Sequence, residues 1–257
     1  MILSKRVSLG GVQLDELHER IVIRSIDSGV PKENISTTDR MGGYGQRITG
    51  QHWEALDVNV GYAIDIPKRE FAERRAVFDL VNTWAMKTGW LVTNERPGQK
   101  IYIDKTVFPS AGDLWDWTSE YKLVFRAYNV PFWQNDQAAL ATSGITSGGS
   151  VWLNVDGNVD TVVDATFANR SGMTINNFWV QVSGNRITLK NMELGGSETL
   201  RIHHGTDGLL RIQIGSRSVY DRYTGADDLY TSPGDRQVSF GADRAGILTA
   251  QCAGRWV

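Results

Sequence analysis

"AYNVPFWQNDQAALATSGITSGGS" occupies Ala127–Ser150, close to the middle of a chain of 257 residues. It begins as the end of a strand and finishes as a run of Ala, Ser, Thr and Gly. Between Gln137 and Ser150 only Leu140 and Ile145 are apolar and larger than alanine. A chain that stops building core at its midpoint and then resumes reads as two domains. The expected division is a first domain over 1–134, a link over 135–150 and a second domain over 151–257.

The two sides of this break are patterned differently. On the N-terminal side, "RVSLGGVQL" and "IVIRSI" are short strand candidates. "ALDVNVGYAIDI" alternates strictly and places Leu56, Val58, Val60, Tyr62 and Ile64 on one face. "WLVTNERPGQKIYIDKTVF" reads as strand, turn and strand. "WDWTSEYKLVFRAY" alternates again, with Tyr121, Leu123, Phe125 and Ala127 on one side.

"PKREFAERRAVFDLVNTWAMKTG" is the one convincing helix, expected over about 68–88. Phe71, Phe78, Val81 and Ala85 recur at helical spacing, and Val77, Leu80 and Trp84 widen the stripe. Pro67 opens the segment and Gly89 follows its last turn. Arg74 falls inside the stripe, so its stem is expected to pack while its head reaches water or a partner. "ENISTTDRMGGYGQRITG" (Glu33–Gly50) is polar and glycine-rich and reads as a loop or an extended arm.

After the break there is no helix signal. Short apolar segments such as "SVWLNV", "INNFWVQV", "RITLKNMEL" and "GILTAQCAGRWV" are separated by "DGN", "SGN", "GTDG" and "SPGD" turns. This spacing points to a β-sandwich or jelly roll. The fold class is therefore mainly β with one helix: an α+β N-terminal domain and an all-β C-terminal sandwich.

Composition narrows the function by exclusion. The formal net charge is -2 with charges spread along the chain, unlike the basic footprint of a nucleic-acid binder. The start lacks the apolar region of a signal peptide, and no stretch approaches the roughly 18 apolar residues that span a bilayer. The expectation is a soluble protein made and kept in the cytoplasm. A single cysteine, Cys252, excludes an internal disulfide framework and is read as a buried strand position. There is no G-x-S-x-G elbow, H-E-x-x-H, Walker loop or dinucleotide fingerprint. His203 and His204 adjoin on a strand and so point to opposite faces, which disfavours a shared metal ion. "DDLY" at Asp227–Tyr230 reads as a solvated turn, since it lacks the ligand spacing of an EF-hand. No catalytic, cofactor-binding or metal-binding residue is assigned. Trp115, Trp117, Trp133, Trp152, Trp179 and Trp256 are read first as core and interface packing, with stacking on sugar rings as the alternative for any that are exposed.

The order of elements resembles the distal tail proteins (Dit) of long-tailed, non-contractile bacteriophages. The parallels are "ERPGQKIYI", the stretch Tyr121–Trp133, and the glycine-broken strands of "RITLKNMELGGSETLRIHHGTDGLLRIQI". The family's "D-x-P-x-x-x-Y" turn is met with Glu95 for Asp and Tyr102 one residue late. "TSPGDRQVSF" resembles its "L-x-P-G-x-N-x-I-x-F" element, with Thr231, Arg236 and Val238 at the Leu, Asn and Ile positions.

The resemblance implies a virion structural protein of the phage tail tip, made in the host bacterial cytoplasm, with no enzymatic activity and no cofactor. It implies a hexameric ring that joins the tail tube to the tip hub or baseplate and receptor-binding proteins. N-terminal domains would surround the DNA exit channel, and galectin-like sandwiches would project outward. In that frame the Glu33–Gly50 arm is expected to contact the neighbouring subunit through Arg40, Met41, Tyr44 and Arg47, residue types enriched at interfaces. Specific nucleic-acid binding and membrane insertion are not expected, and the last strands are free to pack on either domain. The rival readings are a carbohydrate-binding module attaching to host-surface glycan and, more remotely, a glycan hydrolase, which needs two carboxylates across a cleft.

Overall fold

The computed structural model describes residues 5–39, 46–109 and 120–257. The chain divides into two compact units, Met1–Trp133 and Gln134–Val257. The strands of the first are β1 (Val7–Leu9), β2 (Val12–Gln13), β3 (Ile21–Ser28), β4 (Glu33–Asp39), β5 (Gln46–Trp53), β6 (Leu56–Ile64), β7 (Gly89–Thr93), β8 (Gln99–Ile103), β9 (Lys105–Val107) and β10 (Tyr121–Ala127). The helix α1 spans Phe71–Ala85.

One sheet runs β3-β6-β10-β9, and β2, β1, β7 and β8 lie side by side in another. The alternation in β6 and β10 is matched by register: Tyr62 faces Tyr121, Val60 faces Leu123, and Val58 faces Phe125. All six are buried. Because side chains alternate along a strand, pairing two alternating strands in this register makes one continuous apolar face.

Helix α1 covers part of that face. Phe78 meets Tyr121 edge-on at 5.4 Å, and Trp84 meets Phe125 at 5.9 Å. The Trp84 indole N–H donates to the Val12 carbonyl at 3.0 Å, so the same residue also ties the helix to β2. A single 3-10 turn at Lys68–Glu70 follows Pro67 and leads into the helix.

Two helix expectations are corrected. Leu80, placed on the stripe from the sequence, is 39% exposed. Arg74 keeps its head inside: Nη2 donates to the Tyr121 hydroxyl at 2.8 Å, and Nη1 donates to the Ile66 carbonyl at 3.4 Å. The residue is only 6% exposed. A buried guanidinium needs acceptors for its donors, and the hydroxyl from β10 and the carbonyl just past β6 supply them.

In the second unit β11 (Trp133–Asn135) crosses the boundary, and β12 (Ala139–Thr142), β13 (Thr146–Val155), β14 (Thr161–Val162), β15 (Asp164–Asn169), β16 (Phe178–Val182) and β17 (Asn185–Leu189) follow. Then come β18 (Thr199–His204), β19 (Leu210–Ile214), β20 (Arg217–Ser218), β21 (Tyr223–Gly225), β22 (Tyr230–Thr231), β23 (Gly234–Cys252) and β24 (Arg255–Trp256).

The long strand β23 organises this β-sandwich. Its first part pairs with β13 and β16, and its last part pairs with β12 and β15. Between the two parts, Asp243 accepts hydrogen bonds from the Asn176 and Asn177 amides. One strand thus passes from one sheet to the other, the usual corner of a sandwich. Phe167, Phe178 and Phe240 meet between the sheets, with ring centroids 4.8 Å and 5.9 Å from Phe167. At Gly246 an added Cβ would come within 2.4 Å of the Phe167 ring and 2.6 Å of the Ala168 carbonyl, so only glycine fits this crossing.

The stretch expected as a link carries β12 and the start of β13. Its small residues are what the place requires, since Ala139 and Ala141 pack against the sandwich core where β12 pairs with β23. "RQVSFGA" and the start of "GILTAQCAGRWV" form one strand, β23, whose partners lie in the second unit. Cys252 is buried on β23, and burial raises its thiol to about 11. Among the described residues no helix is long and apolar enough to cross a membrane.

Candidate interaction interface

The segment Glu33–Gly50 is an arm, but a regular one. β4 and β5 pair antiparallel from Glu33 opposite Trp53 to Asp39 opposite Gln46, with an irregularity between Ser36 and Thr37. Ile35 and the threonines supply the β-branched side chains that favour extended backbone. The base is anchored: the Glu54 amide donates to the Lys32 carbonyl at 2.8 Å, and the Asn34 amide side chain donates to Glu54 at 2.7 Å. Trp53 stands edge-on to Phe132 at 5.3 Å.

Beyond that base, β4 and β5 form a sheet of their own among the described residues. Ser36, Thr37 and Thr38 are exposed, and Ile35 is 50% exposed. A two-stranded ribbon without a core is marginal in water. Such an arm is suited to lie on another protein surface.

Of the four predicted contact residues, Arg40, Met41 and Tyr44 lie outside the described residues. Arg47 sits on β5 opposite Thr38, and its side chain also lies outside them.

The tryptophans sort by exposure. Trp133 is fully buried, with the Arg96 guanidinium 5.2 Å from its ring. Trp179 is half-buried, with Arg186 stacked 4.2 Å from its centroid. Trp256 donates its indole N–H to Asn135 at 2.8 Å. Trp152 is 66% exposed. Trp115 and Trp117 lie outside the described residues.

A charged cluster in the second unit escaped the sequence reading. His204 Nδ1 lies 2.8 Å from Asp164, and its Nε2 meets Asp228. The ring is 7% exposed. With a carboxylate at each nitrogen, both must donate, which only the imidazolium does. Burial pushes the His204 pKa down, but the hydrogen bonds and charges of Asp164 and Asp228 outweigh it and hold it at about 9. "DDLY" is therefore not simply a solvated turn: Asp228 turns inward and its side chain is 12% exposed. Adjacent histidines do face opposite ways, but nothing in the sequence pairs His204 with aspartates 40 and 24 positions away. The cluster ties β15, β18 and the segment before β22 together. Among the described residues no group of His, Cys, Asp and Glu has the arrangement of a metal site.

No protein-family model and no curated protein matches the chain. Solved structures do. The crystal structure of SPP1 Dit (gp 19.1), described as a paradigm of the hub adsorption apparatus in phages infecting Gram-positive bacteria, superposes with a TM-score of 0.65. The match covers 98% of this chain and 99% of that one, at 10% identity. The fold is that of Dit. Chains of the phage P2 baseplate in its activated conformation match with TM-scores of 0.47 with Ca and 0.42 with Sr, at 7% and 8% identity. They cover 99% and 96% of this chain, and 98% and 97% of their own lengths. At 10% identity it is the Dit fold that is shared.

Proposed function

We propose that this chain is a distal tail protein of a long-tailed bacteriophage, a structural component of the tail tip. The observation that carries this reading is the match to SPP1 Dit over almost the whole of both chains. In this role six copies form a ring between the tail tube protein on one side and the tip hub and receptor-binding or baseplate proteins on the other. The first unit closes the ring around the channel through which DNA leaves. A head-to-tail interface that closes on itself yields such a ring.

The β4–β5 arm supports this reading. It is a regular hairpin anchored at its base, with Ile35 and Ser36–Thr38 exposed among the described residues, which fits an element that finishes folding against the next subunit. We place Arg40, Met41, Tyr44 and Arg47 in that contact.

Light scattering on the purified chain tests the proposal. The expected mass is six times the protomer's 28.6 kDa, with a central hole in electron micrographs. A protein that stays monomeric at all concentrations, with or without a tail tube protein, would overturn it.

A further inference from the structure

Trp152 borders an open groove of about 530 Å³ in the second unit. Leu140 lines the same groove, and Phe240 and Gly149 contribute to it. Both larger side chains stand out of their strands: Trp152 is 66% exposed and Leu140 is 65% exposed. Among the described residues Trp152 makes no ring contact, whereas Trp179 on β16, across β23 from β13, is covered by Arg186.

The rest of the lining is hydroxyl and glycine. Ser150 accepts a hydrogen bond from the Gln237 side chain at 2.9 Å and keeps its own proton to donate. Thr142 shares one hydrogen bond with Thr249 at 3.3 Å and retains further capacity. Among the described residues no Asp, Glu, Lys, Arg or His lines the groove.

We propose that this groove binds a neutral saccharide, with the indole of Trp152 stacked on a sugar ring and Ser150 and Thr142 hydrogen-bonded to its hydroxyls. A pyranose presents an apolar C–H face and a rim of hydroxyls, and this lining offers an aromatic wall beside a hydroxyl edge. The volume lies in the range of small-ligand sites. A charged ligand would find no counter-charge.

The full chain is titrated with maltose, cellobiose, lactose and N,N′-diacetylchitobiose by calorimetry and ligand-observed NMR. At least one is expected to bind with a Kd on the order of 1 mM. Trp152→Ala weakens that binding at least about tenfold, the loss of one contact of about 1.4 kcal/mol, while light scattering gives the same mass as wild type. Trp152→Phe, which keeps a smaller ring, weakens it less. Ser150→Ala leaves the indole in place and weakens it several-fold, so the proposal stays testable even if the Trp152→Ala chain misfolds. The proposal falls if no saccharide binds the wild-type chain up to about 20 mM, well above the expected Kd. It falls equally if Trp152→Ala or Ser150→Ala binds as well as wild type.

Discussion

Strand β23 is paired along most of its length, with β13 and β16 first and then β12 and β15, and it has a partner on each side at Val238–Gly241 and Thr249–Gln251. Among the described residues strands β4 and β5 form a sheet of their own. In sequence β23 alternates with Val238, Phe240, Leu248, Ala250 and Cys252 buried, so packing and cross-strand ladders stabilise it together. The hairpin exposes Ile35 and its threonines. The lesson is that extended backbone is not stability in itself. A strand gains it from what lies on its faces and edges.

The largest expected effect comes from removing packing along β23. Phe240 is 1% exposed between Phe167 and its strand partners. Phe240→Ala should cost about 3–5 kcal/mol in denaturant unfolding of the second unit. A loss below about 1 kcal/mol would mean that the sandwich is not held from β23 outward, and the contrast with the hairpin would disappear.

The second effect is electrostatic and tests how firmly β15, the neighbour of β23, is tied to β18. The folded pKa of His204 is about 9, above an unfolded value of roughly 6.5. Folding therefore binds the proton more tightly. The resulting stabilisation, on the order of 3 kcal/mol, is complete below about pH 6.5, declines as pH rises, and is lost above the folded value of about 9. Urea unfolding of the second unit across this window should show that decline, and Asp228→Asn should flatten it. An NMR titration placing the His204 ring at or below its ordinary value would refute the assignment.

The smallest effect on the chain's own stability is expected in the hairpin. Replacing Glu33–Gly50 with a short Gly/Ser link should change the unfolding free energy of the protomer by no more than about 0.5–1 kcal/mol, as for surface changes that remove no core. In the proposed ring, the same change should shift hexamers toward monomers on dilution in light scattering. A shortened chain whose hexamer resists dilution like the wild type would remove the arm from the ring contact.

The comparison also marks how far the sequence could be read. Strict alternation in β6 and β10 and the helical stripe of α1 were legible because burial repeats at the period of the element itself. The helix runs over Phe71–Ala85, inside the span expected. The stretch 135–150 was less legible. Its small residues read as a link, yet β12 and β13 form there because β23 supplies their partner. The arm was legible as an excursion, but its hairpin was not, since cross-strand pairing has no local period.

The buried polar groups were the least legible. Arg74 on the stripe was visible as an anomaly, but its acceptors, Tyr121 and Ile66, come from other elements. His204 showed no anomaly at all, because Asp164 and Asp228 reach it only after β15 and the β22 segment are in place. By itself, then, the sequence determined the kinds of element, their order and their apolar faces, all of which rest on interactions within a few residues. Tertiary structure alone decided which strands share a sheet, which charges meet in the interior and which indole is left in water. Those outcomes depend on groups far apart in the chain, and a charge buried among them is tolerated only when the fold brings its partner.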